Sequence, residues 1–107
     1  MKIEVPSDFR DYLQRGNSTA GFLDTKDFER YFDLCPESEL EEWNRDYEVE
    51  SHAPGFTVFG TNGGGELYAF GIDGAVYELP EIGLAPDVAS RIFDSWAAFV
   101  AYIKPAA

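Results

Sequence analysis

The chain holds a single cysteine, Cys35, and a single histidine, His52, in 107 residues. One cysteine excludes an internal disulfide and any thiolate metal cage, and gives no sign of an oxidising compartment. Bases are scarce: 8 Lys and Arg stand against 20 Asp and Glu, for a net charge of −12. The deficit runs through both halves, net −8 up to Ala53 and −4 beyond it. A field of that sign repels phosphate backbones and anionic lipid heads and attracts basic partners, so direct nucleic-acid binding is not expected. No window approaches the ~20 apolar residues of a membrane span. The opening Met-Lys-Ile-Glu-Val-Pro lacks the apolar stretch of a signal peptide. These absences point to a soluble, cytoplasmic protein without a membrane partner.

The length suits one domain spanning residues 1–107, since a second would have too little chain to enclose its own core. Leu, Ile, Val and Phe number 27 and the aromatics 17, enough apolar surface to keep the chain out of the disordered class. Ser7 to Arg15 reads as a short helix, with Ser7 as its cap and Gly16 closing it. Phe9, Tyr12 and Leu13 form its apolar stripe. Between Asn17 and Leu34 the pattern is weak: Phe28, Tyr31 and Phe32 have helical spacing, yet the aromatic richness suits a strand, which we place near Arg30–Leu34. Pro36 opens a clearer helix, with Leu40, Trp43 and Tyr47 on its buried side. Seven carboxylates fall in the fourteen residues from Glu37 to Glu50, and Arg45 is the one base among them, spaced to pair with Glu41.

Strand patterns follow. GFTVFG (55–60), ELYAFG (66–71) and Ala75–Leu79 are separated by Thr61-Asn62-Gly63-Gly64-Gly65 and by Asp73-Gly74, a tight-hairpin signal. They form a three-stranded antiparallel meander. Pro80 and Pro86 bracket an irregular connection, and a last helix runs from a cap at Asp94 or Ser95 through Trp96, Phe99, Val100 and Ile103 until Pro105. The fold class is α+β, an antiparallel meander packed against helices. Trp43 and Trp96 are both expected to be mostly buried, one on each of the two best helices.

The sequence displays no catalytic constellation. The glycine run TNGGGEL is not a phosphate loop, because Glu66 and a strand follow where lysine and a helix are required. It reads as a turn that uses backbone angles glycine tolerates. His52 has no cluster of partners at metal-ligand spacing, so no metal and no cofactor are expected. Cys35 before Pro36 reads as a small buried hydrophobe rather than half of a Cys35–His52 dyad. Glu39, Glu42 and Asp46 share a helix flank, the ordinary appearance of a solvated face and also a surface for a basic partner.

Several segments in order resemble one family. LEEWNRDYEV (40–49) is followed by APGFTVFGTNGGGELYAF (53–70), GAVYELP (74–80) and FDSWAAFVAYI (93–103), while VPSDFRDYL (5–13) resembles an entry helix. Together they resemble the Smi/Knr-type branch of the SUKH superfamily, which includes relatives of yeast cell-wall-synthesis regulators. Asn44, Tyr47, Pro54, Gly60, Gly63, Gly64, Glu66, Gly74, Val76, Tyr77, Phe99 and Val100 stand at matching places. Asn17–Glu29 fits the pattern poorly, and only four residues precede Val5 where many members carry another helix.

The resemblance implies an α+β fold and, in bacteria, an immunity protein that binds and blocks a toxin in the cytoplasm. Many such toxins are nucleases, which are basic where they grip nucleic acid. The acidic composition agrees with such a partner. The matched residues are mostly scaffold, so recognition is expected on Glu39, Glu42, Asp46, Glu48 and Glu50, with Glu66 beside them. Two alternatives stay open: a general protein-interaction or regulatory module without a toxin, and a small hydrolase using His52 with a carboxylate or Cys35.

Overall fold

A computed structural model describes residues 3–25 and 29–104. It is an α+β structure built on one six-stranded antiparallel sheet whose strands lie side by side in chain order. The strands are β1 (Ala20–Asp24), β2 (Glu29–Leu34), β3 (Thr57–Thr61), β4 (Glu66–Phe70), β5 (Val76–Pro80) and β6 (Ser90–Phe93). The helices are α1 (Ser7–Gln14), α2 (Leu40–Asp46), α3 (Val49–His52) and α4 (Trp96–Ala101).

Strand alternation sorts the side chains onto two faces. The inner face carries Phe32 and Leu34 of β2, Phe59 of β3, Tyr68 and Phe70 of β4, Val76 of β5 and Phe93 of β6, packed against Phe9 of α1 and Trp96 and Phe99 of α4. Phe99 lies 5.5 Å from the ring of Phe32 and 5.6 Å from that of Phe93, although three strands separate β2 from β6. The sheet therefore curls around α4. Beyond that helix, Ile103 forms a single bridge with Leu23 of β1, and the Lys104 N–H donates to the Phe22 carbonyl at 2.9 Å. The C-terminal chain thus protects the outer edge of β1.

On the outer face, Val58, Leu67, Ala69 and Leu79 pack under Val49 and Ala53, with Trp43, Tyr47, Phe56 and Tyr77 half-buried around them. This cover reaches only the middle strands. The outward side chains of β1 and β2 (Ala20, Phe22, Asp24, Glu29, Tyr31 and Asp33) are all exposed.

The meander is twice the size the sequence suggested. β1 reads Ala-Gly-Phe-Leu-Asp and buries only Leu23 fully, so it has almost no hydrophobic signature; pairing with β2, from Ala20↔Asp33 to Asp24↔Glu29, defines it. β6 is equally cryptic, sealing only Phe93. The strand expected at Arg30–Leu34 is present and starts one residue earlier, whereas Phe28 lies outside the described residues. Asp73-Gly74 does turn the chain, with Gly74 at φ +80, but within the wider connection Gly71–Ala75, closed by the Gly71 N–H on the Ala75 carbonyl. Gly60 is needed where β2 crosses closest, since a Cβ there would sit 2.9 Å from the Asp33 carbonyl oxygen.

The helices bring further corrections. Ser7 does not cap α1: it is the first helical residue, and Pro6 occupies the cap position without a side-chain bond. Gly16 closes the helix as expected, at φ +73. At α4, Ser95 is the cap, its Oγ accepting from the Ala98 N–H at 3.1 Å, while Pro105 lies outside the described residues. The single helix expected after Pro36 is three pieces: a 3-10 turn at Glu37–Glu39, then α2, then α3. The break is at Glu48, which adopts left-handed angles (φ 51, ψ 44) that a side chain with a Cβ disfavours.

α2 buries Leu40 and Asn44 rather than a plain apolar stripe. Asn44 Oδ1 accepts from the Val58 N–H at 2.8 Å, and its Nδ2 donates to the Val58 and Leu40 carbonyls at 2.9 and 2.8 Å. β2 pairs with β3 only at Asp33↔Thr61 and Leu34↔Gly60, which leaves Val58 facing no strand on that side. The Asn44 amide takes the place of a strand partner there. Trp96 is sealed, as expected; Trp43 is only half-buried, wedged between the two core clusters with its Nε1 donating to Glu39 Oε1 at 3.4 Å.

Candidate partner-binding surface

The 3-10 turn, α2, the break at Glu48 and α3 together position five of the six proposed recognition residues. Glu39, Glu42, Asp46, Glu48 and Glu50 are all exposed. Burial of Leu40 and Asn44 turns the flank carrying Glu39, Glu42 and Asp46 to solvent. No ion pair joins Arg45 to Glu41, and Glu41, Glu42, Asp46 and Glu50 have no ion-pair partner among the described residues. Besides Glu39, which accepts from Trp43, two other acids of the segment are engaged. Glu37 accepts from Arg10 Nη1 at 2.5 Å and from Gln14 Nε2 at 3.3 Å, tying the 3-10 turn to α1. Glu48 Oε2 lies 3.6 Å from His52 Nε2 across one helical turn.

The negative field of this flank reaches into the structure. Cys35 is fully buried at the end of β2, and its thiol is pushed up to about 12, first by burial and then by Glu39 and Glu42. A nucleophilic cysteine needs the opposite shift. The Cys35 thiol donates to the Pro36 carbonyl, while His52 stands exposed beside Glu48. Among the described residues no group of three His, Cys, Asp or Glu side chains is placed to hold a metal ion.

Glu66 stands apart from the helix set. It opens β4, and Asn62 holds it in place: Nδ2 donates to Glu66 Oε1 at 3.0 Å, while Oδ1 accepts from the Glu66 and Gly64 N–H groups. Its surroundings are a cleft of about 440 Å³ lined by Glu29, Arg30, Tyr31, Asn62, Glu66 and Glu78. Within it Arg30 forms an ion pair with the buried Glu78. Burial raises the Glu78 carboxyl above its ordinary value, a shift that Arg30 opposes and Glu66 reinforces. Burial likewise raises the Tyr68 hydroxyl, which donates to the Tyr31 carbonyl at 2.7 Å. The Arg30–Glu78 pair had no sequence signal, because 48 residues separate its members.

Contacts nonetheless link the C-terminal end of α2 to the glycine turn. Tyr47, just past the end of α2, donates to Glu81 Oε1 at 3.0 Å, and the Glu81 N–H donates to the Gly65 carbonyl at 2.9 Å. Gly63 in turn sits against the Tyr31 ring, where a Cβ would come within 3.2 Å. These contacts run from the residue after α2 through the glycine turn to Tyr31 of β2. Phe22 and Tyr31, exposed on this open face, were not among the expected surface residues: Phe22 adjoins the equally apolar Leu23, so no alternation marks it.

Fold and surface define a class: an α+β domain whose curled antiparallel sheet carries a short acidic helix across its outer face. Residues 1–102 match the model of the SMI1 / KNR4 family (SUKH-1), and the chain belongs to that family. No individual curated protein matches it. Among the described residues no helix is long and apolar enough to cross a membrane.

Proposed function

We propose that the protein is an immunity-type inhibitor that binds a basic toxin domain, nuclease-like in its surface charge, and neutralises it in the cytoplasm by occupying its working surface. The observation that carries this reading is the uncompensated charge of α2–α3, displayed by a member of the SUKH-1 family. Glu39, Glu42 and Asp46 occupy one flank, and like charges at helical spacing repel by a few tenths of a kcal/mol, roughly, per pair. Lysines and arginines of a partner relieve that repulsion on docking and raise the rate of encounter. The inhibitor performs no chemistry of its own: a buried thiol pushed up to about 12 and an exposed His52 supply no activated nucleophile.

The test is protection and binding together. If the neighbouring gene encodes a candidate toxin domain, co-expression with that domain should restore growth, and the two proteins should co-purify. Charge reversal in Glu42→Lys/Asp46→Lys should leave the fold intact while slowing association and shrinking its salt dependence. A wild-type protein that neither protects nor co-purifies sinks the inhibitor reading. Unchanged association kinetics in the double variant sinks only the placement of the site on α2.

A further inference from the structure

The outer face of β1–β2 is the part of the sheet that no helix covers. Phe22 is 46% exposed and Tyr31 38% exposed. They are direct cross-strand partners whose rings meet edge-to-face with centroids 5.5 Å apart. Tyr31 is held in place, its ring against Gly63 and its carbonyl accepting the Tyr68 hydroxyl, so little conformational freedom remains to be lost on binding. Around the pair the outward charged side chains of the two strands are Asp24, Glu29 and Asp33, with no base among them. Lys104 pairs with Glu29 at 2.6 Å and also feels the charge of Asp24 without closing an ion pair on it; Asp33 has no ion pair among the described residues. Arg30, between Glu29 and Tyr31, is turned to the opposite side, toward Glu78.

We propose that the Phe22–Tyr31 pair, rimmed by Asp24 and Asp33, is the anchor point for an arginine-bearing segment of the protein's partner. The inference rests on the inhibitor reading and gives it an apolar centre that the acidic helix lacks. Guanidinium is the cation this surface fits: it stacks flat on an aromatic ring while its fork of N–H groups reaches a neighbouring carboxylate. Ammonium makes the charge contact without the stacking. A central aromatic anchor with a polar rim is the arrangement that concentrates binding energy in protein interfaces. A second copy of this chain is disfavoured as occupant, because it would bring Asp24 and Asp33 against their own counterparts.

The test uses the full chain, isotope-labelled, titrated with an Arg-Gly repeat peptide and with a Lys-Gly repeat of equal length. Amide shifts from the Arg peptide should centre on residues 20–24, 30–33 and Gly63, with affinity several-fold above that of the Lys peptide. Phe22→Thr/Tyr31→Thr should bring the two affinities together. Phe22→Leu/Tyr31→Leu, which keeps the apolar area and removes the π faces, should do the same if the threonine variant folds poorly. Shifts confined to α2, an arginine preference that survives both variants, or no binding of either peptide overturns the proposal. So does a wild-type dimer, seen by sedimentation, that either variant dissolves. Growth protection by the wild type is read separately, so this surface can fail while the inhibitor reading stands.

Discussion

The two faces of the sheet do different work. The inner face is a sealed aromatic interior in which Phe59 touches Phe9, Tyr68, Phe70, Trp96 and Phe99, with centroids 4.2 to 6.2 Å apart. The outer face is closed only at its centre, by α3 and the half-buried Trp43 and Tyr47, and is open over β1 and β2. Stability is concentrated inside, where every substitution disturbs several rings at once. The open side can change residues without unpacking the core.

The two tryptophans measure the contrast most directly. Trp96→Ala should cost about 3–5 kcal/mol, the range for deleting a sealed aromatic side chain. Trp43→Ala should cost about 1–2 kcal/mol, in proportion to its smaller buried area. Denaturant midpoints give both values, and equal losses would break the comparison.

Asn44 comes next, because it joins the outer helix to the sheet through backbone groups rather than apolar area. Asn44→Ala strands the Val58 N–H and carbonyl, at about 1–3 kcal/mol for each group left unpaired. Hydrogen exchange at the Val58 amide should accelerate well beyond its neighbours. Protection equal to the parent's would mean that another group or water supplies the missing bonds.

A smaller effect is expected on the open side. Phe22→Thr/Tyr31→Thr should lower stability by about 0.2–1 kcal/mol, the scale of one cross-strand pair. A loss as large as that of Trp96→Ala would show that this face belongs to the core after all.

The last prediction is a change of slope with pH. Burial raises Glu78 above its ordinary 4.5, so the folded chain holds this proton more tightly than the unfolded one. That contribution favours the folded state at low pH and is lost as the pH rises through the raised value. Gln at this position cannot ionise. The stability of Glu78→Gln relative to the parent should therefore shift in the variant's favour as pH climbs above 4.5. A difference that stays constant across that window contradicts the raised carboxyl.

Local pattern was enough wherever a segment's burial followed one period. α1 and α4 showed their apolar stripes, β3 to β5 their aromatic and β-branched runs, and the glycine turns their positive-φ requirement. The composition alone excluded an internal disulfide, and the order of motifs pointed to the SUKH family, which the match over residues 1–102 bears out. Of the surface, the chain displayed the acidic flank but neither Phe22–Tyr31 nor the separation of Glu66 from it.

Tertiary structure decided the rest. β1 and β6 exist because neighbouring strands supply their hydrogen bonds, since each buries too little for its own alternation to show. The helix after Pro36 breaks at Glu48, and the break delivers Val49 to the outer core although the residue at that position is not glycine. Asn44 reads as an ordinary polar residue until Val58, fourteen positions away, is seen to lack a strand partner. Nothing in the sequence tells that Phe22 and Tyr31 stay exposed: strand alternation puts them on the outer face, and no helix reaches that far. Periodicity reports which side of an element is apolar; only packing in three dimensions decides whether anything covers it.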